Sequence, residues 1–150
     1  MYRNLYVNGW ILLRPLQPVL EFIGGQKMQT SDYVSTLFDA KTNPDKVTVA
    51  FTMALKAVSK GYSATVILMA AGVHMGKTGY ADDMDIGEPF RPVADLMRDY
   101  LDNGGKIVVC SSCMEHNGVT REQLDPRFEV ITADGVIDLV MNARGNMQIT

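Results

Sequence analysis

Cysteine is scarce in this chain, and its scarcity limits the classes of protein to which the chain can belong. Two cysteines among 150 residues are too few for a disulfide scaffold, so we expect a reducing compartment, the cytoplasm. No apolar run is long enough to predict a membrane-spanning helix. The chain also lacks a strong excess of charge of one sign, since it has 14 basic and 17 acidic residues and no stripe of basic residues. We therefore expect no nucleic-acid partner.

The composition predicts one domain preceded by an appendage. A chain of 150 residues with 47% apolar residues suits a single domain with a substantial core. The apolar stretches at residues 10–13 and 19–23 are interrupted by arginine and proline, and a secretory signal would need a longer clean run. We therefore expect residues 1–30 to form an N-terminal appendage and residues 31–150 to form the compact domain.

From Ser31 onward, strand-like and helix-like segments alternate. Asn43 and Pro44 are typical of a helix start, and Gly61 is typical of a helix end. Strands are predicted at 33–38, 65–69, 106–109, 128–131 and 146–150, and helices at 44–60, 92–103, after 112 and after 132. This alternation predicts an α/β fold: a single doubly wound domain with a mostly parallel five-stranded sheet and helices on both faces.

The segment from Ser31 also contains one long loop, at residues 72–89. It follows the second predicted strand, and long loops in compact domains are often functional. Because it leaves the carboxyl end of a strand, as Cys110 does, we expect both to lie at the same edge of the sheet.

Cys110 directly follows the third predicted strand and precedes a short predicted helix. Ser112 and Glu115, three residues apart, are typical of a capping box at the start of that helix. The positive end of a helix favours the thiolate, which is the reactive form of cysteine. We expect the hydroxyls of Ser111 and Ser112 to support that thiolate, and Cys110 is therefore the leading candidate for a nucleophile.

Cys113 leaves alternatives open, because it completes a C-x-x-C motif with Cys110. That spacing is typical of dithiol redox centres. A metal site formed by Cys110, Cys113 and His116 is a weaker alternative, with His74 approaching from the long loop. Lys77 in the same loop would add positive charge near the thiolate. We expect no cofactor.

The chain resembles the DsrE/DsrF-like sulfur-relay family over residues 31–150. The resemblance depends on the order of elements, Gly61 after the first helix, the apolar strand running into residues 71–73, the turn at 103–106, and Val109-Cys110 with Gly118-Val119 eight residues on. It implies a small α/β protein that assembles into homo-oligomers, or into hetero-oligomers with related subunits. It also implies that sulfur is carried as a persulfide on Cys110, whereas many members have a small residue or a second cysteine at the position of Cys113.

These expectations combine into one functional prediction. The chain is predicted to be a sulfur carrier or sulfurtransferase that accepts sulfur on Cys110, with Cys113 assisting or resolving, and that interacts with sulfur donor and acceptor proteins. Two alternatives remain: a C-x-x-C dithiol redox protein, and a non-catalytic oligomeric binding or adaptor protein of the same fold.

Overall fold

Five strands alternate with four α-helices over residues 30–150, the part of the chain that the computed structural model describes. The elements are β1 (Tyr33–Leu37), α1 (Pro44–Ser59), β2 (Ala64–Leu68), α2 (Val93–Asp102), β3 (Lys106–Cys110), α3 (Ser111–His116), β4 (Glu129–Ile131), α4 (Ala133–Asn142) and β5 (Gly145–Ile149). Two 3-10 helices lie at Ala70–Gly76 and Arg121–Gln123. The predicted appendage at 1–30 lies, except for its last residue, outside the described residues.

The sheet has the strand order β4-β3-β2-β1-β5, and every neighbouring pair is parallel. Such an arrangement needs a crossover between consecutive strands, and the helices supply these crossovers. The prediction of an α/β domain with a five-stranded sheet is confirmed, and the sheet is entirely parallel rather than mostly parallel.

Alternating side chains of the strands enter two separate apolar clusters, one on each face of the sheet. On one face, Leu37 and Leu68 belong to a large buried cluster with Phe51 of α1 and Tyr100 of α2. The other face carries a smaller cluster, formed by Val34, Ile67, Val108, Val136 and Leu139, the last two from α4. Since fully burying one large apolar side chain contributes about 2 kcal/mol, both clusters stabilise the sheet. Helices on both faces are confirmed.

Helix boundaries follow the proline and glycine signals closely. Pro44 begins α1, and Gly61, just after the helix, has a left-handed backbone with φ of +87°, which glycine adopts without strain. The predicted role of Asn43 was wrong in one respect: its side chain does not cap α1 but donates a hydrogen bond to the Asp39 carboxylate at 2.7 Å.

Two predicted boundaries near the candidate site were wrong. Strand β3 runs one residue further than expected, so Cys110 is both its last residue and the residue that precedes α3. Ser112 therefore lies inside the helix and cannot form the predicted capping box with Glu115. The loop after β2 also has more structure than expected, because a 3-10 helix begins at Ala70.

Candidate functional site

Cys110 lies at the carboxyl edge of the sheet, in the interior of the protein. It pairs with Ile131 of β4 across the last step of the ladder, and only 5% of its surface is exposed. The parallel ladder fixes its backbone on one side, and the immediate start of α3 fixes it on the other. A sulfur atom in this position is held rigidly and is shielded from solvent.

Cys113 lies in the first turn of α3 and is more exposed than Cys110. Both cysteines are free thiols. Burial, and after it hydrogen bonding with the Cys110 side chain, raise the pKa of Cys113 above the ordinary thiol value. The C-x-x-C spacing places one cysteine just before α3 and the other in its first turn, so the two thiols are neighbours.

The backbone of Ala70 provides a polar partner for Cys113. A hydrogen bond from the Ala70 backbone acts to lower the pKa of Cys113, against the larger effect of burial. Ala70 itself has φ of +47°, a left-handed conformation that costs an L-residue about 1–2 kcal/mol. Such strain is retained only where the surrounding structure enforces it, and it is common at functional sites.

Asn117 fixes this arrangement. Its side-chain amide donates to the carbonyl oxygen of Ala70 at 3.2 Å and to that of Cys113 at 2.8 Å. The residue also ends α3, and the following Gly118 has φ of +65°. One side chain therefore joins the segment after β2 to the helix that carries Cys113.

The predicted serine and histidine positions on α3 differ in their surroundings. Ser111 is half-buried and borders an open cleft of about 680 Å³ between α3 and β4, whereas Ser112 and His116 are exposed on the helix. Met114 and Val119 contribute apolar surface to the cleft. Besides these, its lining residues are Glu115, Arg121, Glu129 and Val130. The cleft places a mixed apolar and charged surface beside Ser111, the residue that follows Cys110.

His74 and Lys77 lie together, around an aromatic ring that the sequence did not single out. The His74 imidazole stacks on Tyr80 with ring centroids 6.0 Å apart, and the ammonium groups of Lys77 and Lys41 lie 4.8 and 4.7 Å from the Tyr80 centroid. Burial, and then the charge of Lys77, lower the pKa of His74. These contacts of His74 and Lys77 are with Tyr80 and not with the cysteines.

The metal alternative finds no support in the structure. Within residues 30–150, no group of three histidine, cysteine, aspartate or glutamate side chains converges in a way that could hold a metal ion. Cys110, Cys113 and His116 therefore do not form the ligand set considered from their spacing. Nor does any helix of this region have the length and apolar character needed to cross a membrane.

The fold agrees with that of a known protein family. The model of the DsrE/DsrF-like family matches residues 34–148. This range includes all five strands except the first residue of β1 and the last residue of β5. The chain belongs to the DsrE/DsrF-like family. Cys110 and Cys113 both lie within the matched region.

Two individual proteins extend this comparison. An uncharacterised protein of Methanocaldococcus jannaschii, MJ0760, is 32% identical over 91 residues, which are 61% of this chain but only 33% of that protein. The chain thus matches about a third of the length of that relative. The crystal structure of the YchN protein from E. coli superposes with a TM-score of 0.65 at 14% identity, covering 78% of this chain and 97% of YchN. YchN therefore shares the DsrE-like fold.

Two residues of the site were missed at the level of sequence. Asn117 was not singled out, although its position four residues after Cys113 allows its side chain to reach the Cys113 carbonyl. Ala70 gave no signal, because an alanine with positive φ cannot be distinguished from any other alanine in a sequence.

Proposed function

We propose that this DsrE/DsrF-like protein carries sulfur as a persulfide on Cys110, accepting it from a donor protein and passing it to an acceptor. The observation that supports this most directly is the position of Cys110 at the carboxyl edge of the sheet, directly before α3 and three residues before Cys113. In parallel α/β sheets this edge is where ligands and reacting groups gather.

The reaction needs no cofactor and no net oxidation. The Cys110 thiolate attacks the outer sulfur of a donor persulfide, a new S–S bond forms on Cys110, and the donor S–S bond breaks so that the donor leaves as a thiolate. An acceptor thiolate then attacks the outer sulfur on Cys110 and reverses the sequence. Sulfur is the cargo of this cycle, and the protein returns unchanged.

The burial of Cys110 supports a carrier. A persulfide exposed to solvent exchanges with any thiol that reaches it, and the rate of such exchange depends on access. At 5% exposure, Cys110 would retain its sulfur until a specific acceptor arrives. The adjacent cleft beside Ser111 offers a surface on which a donor or acceptor could dock.

The proposed partners include further subunits as well as the donor and acceptor proteins. We propose a homo-oligomer, with a hetero-oligomer of related subunits as the other arrangement that the family resemblance implies. The outer face of α4 supports this, because Ile137 is 60% exposed and Met141 is 75% exposed. Large apolar side chains grouped on one helix face are typical of a protein interface. The cytoplasm is the compartment we propose.

A dithiol redox function is the second candidate, and the C-x-x-C arrangement of the two thiols favours it. Exchange with the disulfide of a partner protein would join Cys110 and Cys113 in a disulfide and reduce the partner's disulfide to two thiols, and exchange with an external dithiol would restore the two cysteines. This reaction needs both cysteines, whereas a persulfide on Cys110 needs only one. The two functions can therefore be separated by single substitutions.

Cyanolysis tests the proposed function. Wild type, Cys113→Ser, Cys110→Ser/Cys113→Ser and the control Ser59→Ala, an exposed residue at the end of α1, are incubated with inorganic polysulfide, desalted and treated with cyanide, which removes the outer sulfur of a persulfide as thiocyanate. The carrier function predicts about one thiocyanate per chain for Cys113→Ser, at least as much for wild type and Ser59→Ala, and almost none for the double variant. Release from Cys113→Ser no greater than from the double variant would contradict it.

A further inference from the structure

The two thiols of the site differ in access, and this difference bears on how sulfur reaches Cys110. Cys110 ends a strand and is 5% exposed, whereas Cys113 projects from the first turn of α3 and is only partly buried. A persulfide on a protein donor is attached to a large body, so its outer sulfur can approach an exposed thiol more readily than a buried one. Thiol exchange follows access as well as acidity.

We propose that Cys113 is the entry thiol of the site: it takes sulfur from a protein-bound persulfide and hands it to Cys110. The inference rests on the proposed function, since it assumes that Cys110 is the storage position. Cys113 thereby has a defined step, the uptake of sulfur from the donor, in place of a general assisting or resolving role.

The handover balances in atoms and electrons. Cys113 first receives the outer sulfur from the donor, and the donor leaves as a thiol. The Cys110 sulfur then attacks the outer sulfur of the Cys113 persulfide, forming a new S–S bond while the old one breaks, and the Cys110 thiol proton passes to the Cys113 sulfur. The result is a persulfide on Cys110 and a thiol on Cys113, without any oxidant. Cys110 at the end of β3 and Cys113 in the first turn of α3 are close enough in sequence and structure for this transfer to occur within one site.

The surroundings of Cys113 suit a sulfur that must leave as well as attack. The backbone of Ala70 offers it a hydrogen bond, and charge on a leaving sulfur is stabilised by such a donor. Asn117 holds Ala70 and Cys113 together through their carbonyl oxygens, at 3.2 and 2.8 Å. The left-handed backbone of Ala70, with φ of +47°, sets the direction of this donor. We therefore assign Ala70 and Asn117 as positioning residues for the entry thiol.

The inference predicts that the need for Cys113 depends on the size of the donor. Wild type, Cys113→Ser, Cys113→Ala and the control Ser59→Ala, an exposed residue at the end of α1, are loaded with inorganic polysulfide or with persulfidated serum albumin. Persulfide on Cys110 is followed over time by alkylation and peptide mass spectrometry. With albumin as donor, both Cys113 variants should load Cys110 at least about tenfold more slowly than wild type; with polysulfide, all four proteins should load it within about twofold.

Cys110→Ser gives the complementary result. Loaded with persulfidated albumin, this variant should hold its sulfur on Cys113, because the second acceptor is missing. Equal urea midpoints for the variants show that each has folded.

Three outcomes would overturn the entry role. The first is loading of Cys110 from albumin at the wild-type rate in the Cys113 variants, which would leave the carrier function intact. The second is a Cys110→Ser protein without sulfur on Cys113. The third is a Cys110–Cys113 disulfide with free sulfide in place of a persulfide on Cys110. If wild type never holds sulfur on Cys110 with either donor, the proposed carrier function fails, and the handover fails with it.

Discussion

The side-chain amide of Asn117 reaches across 47 positions of sequence to donate a hydrogen bond to the carbonyl oxygen of Ala70. The same nitrogen donates to the Cys113 carbonyl, four residues earlier on α3. This one side chain connects the ends of two adjacent strands, because Ala70 follows β2 and Cys113 follows β3. The geometry of the thiol pair therefore depends on a residue that itself carries no reactive group.

Replacing Asn117 should lower the stability of the protein and slow the loading of Cys110. Asn117→Ala removes both hydrogen bonds, and we expect the free energy of unfolding to fall by about 1–2 kcal/mol. Loading of Cys110 from a protein persulfide should slow by more than the loss of folded protein explains. Urea titration and loading kinetics measure the two effects.

Asn103→Ala is the matched control for that substitution. Asn103 also follows a helix and donates to a carbonyl four residues earlier, that of Asp99, but it precedes β3 and so lies at the opposite end of the strand from Cys110. Asn103→Ala should lower the free energy of unfolding by a similar amount. The rate at which the remaining folded protein loads Cys110 should stay unchanged. Equal slowing in both variants would mean that Asn117 acts only through stability.

Gly72 should tolerate no side chain. A Cβ at this position would collide with the carbonyl oxygen of Leu37, and the Gly72 N–H donates to Phe38. Gly72→Ala should lower the free energy of unfolding by about 1–3 kcal/mol, because backbone at the end of β1 must move. Gly145→Ala, where a Cβ meets nothing within 4 Å, should change it by less than about 0.5 kcal/mol. Equal urea midpoints for the two variants would contradict the packing described for Gly72.

His74 should make stability depend on pH. Burial, and then the charge of Lys77, lower its folded-state pKa, so the folded protein favours the neutral imidazole. The contribution of neutral His74 to the free energy of unfolding is fully present above about pH 6.5, the pKa of histidine in the unfolded chain. It is lost as the pH falls through the lower folded-state pKa. His74→Gln should therefore lose less stability than wild type between about pH 7.5 and 5.5. His116→Gln, an exposed control, should behave as wild type does; if His74→Gln does so too, the assignment is wrong.

The outer face of α4 should control assembly. Ile137→Glu combined with Met141→Glu places two charges on the exposed apolar face, and burying unpaired charges in an interface is costly. We expect wild type to sediment as an oligomer and the double variant as a monomer in analytical ultracentrifugation. Met53→Glu on α1, where the side chain is 42% exposed, is the control and should leave the oligomer intact. A monomeric wild type would refute self-assembly.

Most of the fold could be predicted because local chemistry marks it. Pro44 and Gly61 bound α1 as expected, since proline fixes a helix start and glycine tolerates positive φ. The 3-10 helix at Ala70–Gly76 was missed because a segment of seven residues carries little periodic signal. Ser112 was misplaced as a cap because the extent of β3 is set by pairing with β4, which a local pattern does not contain.

The candidate site, like the fold, has features that could be predicted from the sequence and features that could not. The proximity of Cys110 and Cys113 follows from their spacing across a strand-to-helix corner, so the sequence could predict it. The roles of Ala70 and Asn117 depend on how the segment after β2 lies against α3, which is a long-range relationship. His74 and Lys77 were correctly placed at the loop after β2, but their contacts with Tyr80 and Lys41 depend on how that loop folds back.

Mass spectrometry of the loaded protein is the most direct test for a persulfide on Cys110. Wild type, Cys113→Ser and Cys110→Ser/Cys113→Ser are incubated with inorganic polysulfide and their intact masses are measured. We predict a gain of ~32 Da, one sulfur atom, in Cys113→Ser and no gain in the double variant, and peptide fragmentation of wild type and Cys113→Ser should locate the added sulfur on Cys110. A Cys113→Ser protein that gains no sulfur, or a loss of two hydrogens that requires both cysteines, would contradict it.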